Sequence, residues 1–234
     1  MQTYKPLAWL TIFSIAMGYL ETTVVVYLRK IYYPAGFQFP MVAIEPSIAI
    51  TEIGREVATV VMLAGIAILV GKNKLQRFAF FLYCFAIWDL CYYLFLKVLL
   101  NWPESLLTWD ILFLIPLPWF GPVLAPCLLS LNFILFTFLV LYIQKQASEA
   151  SLSKLEKSLM LFGALIAVIS FVYEYVGVIS SSNIIQQICF TPQYYNWYFF
   201  LIGQLAFLAS VLSFSKRYLV FKQFNTIKTH YHGS

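Results

Sequence analysis

The sequence predicts an all-α fold, a multi-pass transmembrane bundle of six helices with a short interfacial or re-entrant helix before the fourth. Three observations carry this. Only 11% of the 234 residues are charged and 62% are hydrophobic, whereas a soluble domain carries about 25% charged residues. Such a chain cannot cover its surface with polar groups in water, and its mean hydropathy of +0.81 agrees. Apolar runs of about 20 residues, enough helix to cross about 30 Å of hydrocarbon, recur six times. The basic residues also segregate to alternate connections, as they do across a membrane.

The six runs cover residues 7–29, 48–70, 78–100, 119–143, 158–180 and 194–216. The first follows Lys5 and continues through Val24, Val25 and Val26 with no small-residue cleavage site, so it reads as an uncleaved span. The second and third are joined by a short basic turn containing Lys72, Lys74 and Arg77.

The fourth run is uncharged from Ile111 to Ile143. One helix of that length would measure about 50 Å, too long for a bilayer. The stretch also holds Pro116, Pro118, Pro122 and Pro126, and proline removes a helix donor. The expectation is a short interfacial helix over 104–115, a turn at Pro116–Pro118, and then the span, with Asp110 directed inward. Non-helical backbone at membrane depth has to be buried in protein or line a cavity.

Six spans put both termini on one side. That side receives Lys5, Lys72, Lys74, Arg77, Lys145, Lys154, Lys157, Lys216, Arg217, Lys222 and Lys228, or 11 of the 15 basic residues. The other side keeps Arg29, Lys30, Arg55 and Lys97. This asymmetry places both termini in the cytoplasm of a cell (inner) membrane protein. Residues 1–216 then form one transmembrane domain and 217–234 a polar cytoplasmic tail. Structured outer connections are expected near 30–47, 101–118 and 181–193. Internal repeats of the transporter kind are not visible.

Composition excludes several functions. The net charge of +5 reads as topogenic rather than nucleic-acid binding, and no nucleic-acid partner is expected. The two histidines, His230 and His232, lie in the tail, so neither intramembrane haem with a histidine axial ligand nor His-ligated zinc is expected. Cys84, Cys91, Cys127 and Cys189 form no CxxC and read as ordinary apolar thiols.

The functional signal is a coincidence of depth. Ionisable side chains within spans are costly and face a bundle interior or a wet cavity. Glu21, Glu52, Arg55, Glu56, Asp89 and Glu174 come from four helices, yet all fall at the midplane or in the outer half. Asp89, Tyr93 and Lys97 recur at i, i+4 and i+8 on one stripe, with Tyr92 beside them. Glu52 and Glu56, one turn apart, repel each other unless a proton or cation intervenes; Arg55 supplies one in cis, Lys97 or Arg29 in trans. With Asp110, these ten residues make the candidate ligand site. Any metal would be a hard cation held by Glu52, Glu56 and Asp89. Plainer readings stand beside this one. Glu52-Arg55-Glu56 also fits an interfacial ion-pair cluster, Glu21, Asp89 and Glu174 fit polar locks between helices, and Lys97 fits snorkelling to the interface.

Three functions follow as expectations. The first is binding, with transport or processing, of a small cation or amphipathic molecule at the outer leaflet. The second is an intramembrane enzyme acting on a lipid or lipid phosphate, and the third a structural or accessory subunit of a membrane complex. The partners are the bilayer, a lipid or small-molecule ligand and, in the third case, another protein.

Overall fold

The computed structural model describes residues 5–42, 44–179 and 190–231, with backbone alone at residue 179 and beyond 218. Cys189, His232, Gly233, Ser234 and most of the 181–193 connection lie outside the described residues. Among the described residues, six helices are long and apolar enough to cross a membrane. They are α1 (Lys5–Tyr32), α2 (Pro46–Val70), α3 (Lys74–Leu100), α4 (Leu124–Gln146), α5 (Lys154–Ile179) and α6 (Trp197–Tyr231). Between α3 and α4 lie two strands, β1 (Trp109–Phe113) and β2 (Trp119–Pro122).

Local chemistry sets the helix ends. Pro46 opens α2, where its missing N–H costs nothing. Asn73 caps α3, its Oδ1 accepting the Gln76 N–H at 3.0 Å. Asn101 stops the same helix in a left-handed conformation, φ 52°. A reciprocal pair starts α5: Ser153 N–H donates to Glu156 Oε2 at 2.7 Å, and Glu156 N–H to Ser153 Oγ at 3.2 Å. Arg217 of α6 closes on Glu156 at 2.6 Å. Pro126 sits in the first turn of α4, where it breaks no intrahelical bond.

Helix α3 is the hub, packing on α1, α2 and α4. Half of its span is buried inside the protein, against 22% for α2 at the periphery. Helices α5 and α6 form a second close pair, joined to the rest through α4·α6 and α5·β2 contacts. The reason is visible at Gly163 and Gly203. A Cβ on either would lie 2.7 Å from the other's carbonyl oxygen, so only glycine allows this approach. Gly18 plays the same part in α1, where a Cβ would come within 3.0 Å of the Trp88 carbonyl oxygen. The outward faces are apolar, as at Trp9, Ile50, Leu69 and Val98, the pattern of a lipid-facing surface.

The 104–118 expectation is corrected in part. The chain breaks before the span as predicted, but the short interfacial helix is absent. Residues 105–108 instead form a turn closed by their own side chains: Leu107 N–H donates to Ser105 Oγ and Ser105 N–H to Thr108 Oγ1. Such local bonds compete with helix. The next residues pair antiparallel, Asp110 opposite Gly121 and Ile111 opposite Phe120, with an irregularity between Ile111 and Phe113. Two further bonds, Val123 N–H to Thr108 O and Leu124 N–H to Leu106 O, extend the ladder. The hairpin pairs the facing backbone of its two strands, and a side chain from α2 takes the Leu114 N–H, so part of what this segment required is met within the protein.

The hairpin packs over one end of the bundle. The end of α1 meets it through Arg29, the first half of α2 through Glu56, and the second half of α5 through Phe171. The opposite end holds the α3 cap, Gln144, Ala150 and the Glu156–Arg217 pair. Consecutive helices therefore run in opposite directions.

Candidate functional site

The site is built from three polar groups beneath the hairpin. In the first, Arg55 of α2 joins two acids. Its guanidinium reaches Glu52 at 2.6 and 2.9 Å, one turn back on the same helix, and also pairs with Glu21 of α1. Glu52 is buried. Thus the i, i+3 spacing of the sequence is realised, and the bridge to α1 ties α2 to the bundle. One turn on, Glu56 Oε2 accepts the Leu114 backbone N–H at 2.9 Å, fastening α2 to the hairpin tip.

In the second group, Arg29 in the last turn of α1 binds Asp110 of β1, Nη2 to Oδ1, at 2.9 Å. Both are buried. The guanidinium lies over the Trp102 ring at 3.6 Å and the Phe37 ring at 4.5 Å, a cation–π seat that offsets part of its lost hydration. Burial pushes the Asp110 carboxyl up from its ordinary value, while Arg29, the Ile111 amide and the Tyr93 hydroxyl pull it back. Burial likewise raises the Tyr195 phenol, against the Ser170 hydroxyl 3.0 Å away.

The third group is on α3. Asp89 Oδ2 accepts the Ser130 hydroxyl of α4 at 2.9 Å. Tyr93, one turn on, is buried against Leu96 and Val123 and feels both Asp89 and Asp110. Tyr92 stands within the fields of Asp110, Arg29, Glu21 and Arg55, members of the first two groups.

No protein-family model, curated protein or solved structure matches this chain. The reading of the site therefore rests on its own geometry.

Glu21, Glu52, Arg55, Glu56, Asp89, Tyr92, Tyr93 and Asp110 are gathered by α1, α2, α3 and the hairpin. Two predicted members are elsewhere. Lys97 is exposed and donates to the Asn101 and Pro103 carbonyls at 3.3 and 3.0 Å; it serves the end of α3 because the helix stops one turn later. Glu174 accepts from the Gln193 and Tyr194 N–H groups at 2.9 and 3.4 Å and holds the approach to α6. Among the described residues, no three of His, Cys, Asp or Glu are placed to hold one metal ion, so Glu52, Glu56 and Asp89 do not converge as a metal centre.

Two features are absent from the predicted set. Arg29 enters the sequence argument only as a spare cation, yet it is the partner of Asp110. Asn132 of α4 and Gln204 of α6 are hydrogen-bonded where those two helices meet. They escape a search confined to ionisable residues; counting amides within apolar runs would have found them.

Proposed function

We propose that this is a multi-pass protein of the cell (inner) membrane, both termini cytoplasmic, which binds a small amphipathic cation at its hairpin end. One observation carries the proposal. Five carboxylates share that region with two guanidiniums: Glu21, Glu52 and Asp110 are ion-paired with Arg55 or Arg29, while Glu56 and Asp89 accept from the Leu114 N–H and the Ser130 hydroxyl instead. Fully ionised, the layer has an excess of three negative charges. Charge within a bilayer costs about 2.5–3.5 kcal/mol per group on insertion scales, so protons or a bound cation balance it. The absence of a three-ligand cluster among the described residues argues against a metal. The rings of Tyr92 and Tyr93 beside the acids suit an organic cation.

Glu56 and Asp89, which have no guanidinium of their own, are the groups assigned to the ligand. Tetraphenylphosphonium, titrated against the protein in lipid nanodiscs, is the probe. Saturable binding is expected, weakened on acidification as protons compete for the carboxylates and lost in Asp89→Asn. No saturable binding at any pH from 5 to 8 would end this reading. The accessory-subunit reading would then lead, because Asp89 to Ser130, Arg55 to Glu21 and Arg29 to Asp110 all join different elements. In that case the protein should copurify with a partner.

A further inference from the structure

Asp110 is bonded through Oδ1 to Arg29 at 2.9 Å, but its Oδ2 is buried and makes no hydrogen bond of ordinary geometry among the described residues. From α3, the Tyr93 hydroxyl reaches this carboxyl. Asp89 lies one turn before Tyr93 on the same face of that helix. Its Oδ2 accepts the Ser130 hydroxyl at 2.9 Å, and it belongs to none of the ion pairs among the described residues. Asp110 acts electrostatically on Asp89, and both act on Tyr93. The other groups that face this set come from three elements. Arg29 meets Asp110 from α1, the Tyr92 ring touches Tyr93 on α3, and Cys127 of α4 stands in the field of Asp89. Glu21 of α1 and Arg55 of α2 act on Tyr92.

Two carboxylates beside one guanidinium leave one negative charge in a buried place, which is costly without a partner. A proton removes that charge and, unlike a ligand atom, needs no cavity. Burial already favours the protonated form of Asp110. We propose that Asp89 and Asp110 hold one exchangeable proton as a unit, that Arg29 and Tyr93 set how tightly it is held, and that a cation bound at Asp89 releases it. The exchange rests on the cation reading above; the proton does not. Coupled carboxyls titrate together, so the proton belongs to the pair rather than to either residue. With Arg29 included, the unit is neutral when it carries the proton and neutral again when a cation replaces it. In the exchange the carboxyl O–H bond breaks, its electron pair stays on the carboxylate, and the proton passes to water.

The first test uses no ligand. Infrared spectra of the protein in nanodiscs at neutral pH should show a carboxylic-acid carbonyl band that is lost in Asp89→Asn and equally lost in Asp110→Asn, because either variant leaves a single acid for one guanidinium. A band lost in only one variant, or in neither, would overturn the proposal. Tyr93→Phe keeps the ring but removes the hydroxyl that favours ionised Asp110, so the band should persist to a pH higher by about one unit. Should Asp110→Asn fail to fold, this shift decides, and an unmoved midpoint overturns the proposal. The second test adds tetraphenylphosphonium in weakly buffered solution. About one proton per bound cation should appear from the wild type, and far less from Asp110→Asn. Binding without proton release overturns the exchange. Absence of binding overturns the cation reading and the exchange with it, while the infrared band still decides whether the shared proton is there.

Discussion

Arg55 is the residue on which the acidic layer depends. It holds Glu21 from one helix and Glu52 from its own. Arg55→Met should lower stability by about 3–5 kcal/mol, because it strands two carboxylates; thermal unfolding in detergent measures this. Adding Glu21→Gln and Glu52→Gln should recover most of the loss, since the buried charges are then gone. Asp110 gives a pH signature. Its folded carboxyl titrates above the ordinary value, so the folded state holds that proton more tightly than the unfolded chain. Its term in stability is therefore present at low pH and is lost as pH rises through the folded value. Relative to Asp110→Asn, the wild type should gain thermal stability on acidification towards pH 4; a parallel pair of pH profiles would contradict this. Depth and helical spacing made Glu21, Glu52 and Arg55 legible in the sequence. Lys97 misled because its i+8 spacing from Asp89 ignores that the helix ends at Leu100, where a long side chain turns back to free carbonyls.

At the scale of elements, the hairpin is held from two directions, by Asp110 on Arg29 and by Leu114 on Glu56. Glu56→Leu should speed hydrogen exchange of the Leu114 amide at least tenfold. Glu56→Gln, which keeps an acceptor, should change it little. The close pair is equally testable. Gly203→Val has to push α5 off α6, since even a Cβ would touch the Gly163 carbonyl. A loss of about 1–3 kcal/mol or more is expected. The helices were legible because long apolar runs are unambiguous, and the prolines marked the break before α4. Helix and strand were not separable within 104–115, because a short apolar run has no diagnostic period. The deciding bonds come from Ser105 and Thr108 and from the partner strand at 119–122, none of which a local pattern reveals.

For the whole molecule, the even number of helices and the skewed distribution of Lys and Arg predict the orientation. In a cysteine-free background, single cysteines at Lys74 or Lys154 should react with an impermeant maleimide only after the membrane is opened, and one at Glu104 should react from outside. Labelling of position 154 from outside would reverse the assignment. Glu21, Glu52, Arg55, Glu56 and Asp89 lie on α1, α2 and α3, which pack on one another. Glu174 belongs to the α5–α6 pair, which meets the rest through α4 and β2, and membership of such a pair is a property of tertiary packing that depth alone does not encode.

The partnership between α1 and later segments has a consequence for how the protein is made. Glu21 waits for Arg55, 34 residues downstream, and Arg29 waits for Asp110, 81 residues downstream. At about 5–20 residues per second, the first helix spends roughly 2–7 s with its acid unmatched, and its arginine goes about twice as long without its own partner. The nascent first helix therefore enters the bilayer unbalanced and stays beside the insertion machinery until the second arrives. A ribosome-bound chain truncated before Arg55 emerges should be extracted by alkali or crosslinked to the translocon, and one that exposes Arg55 should resist both.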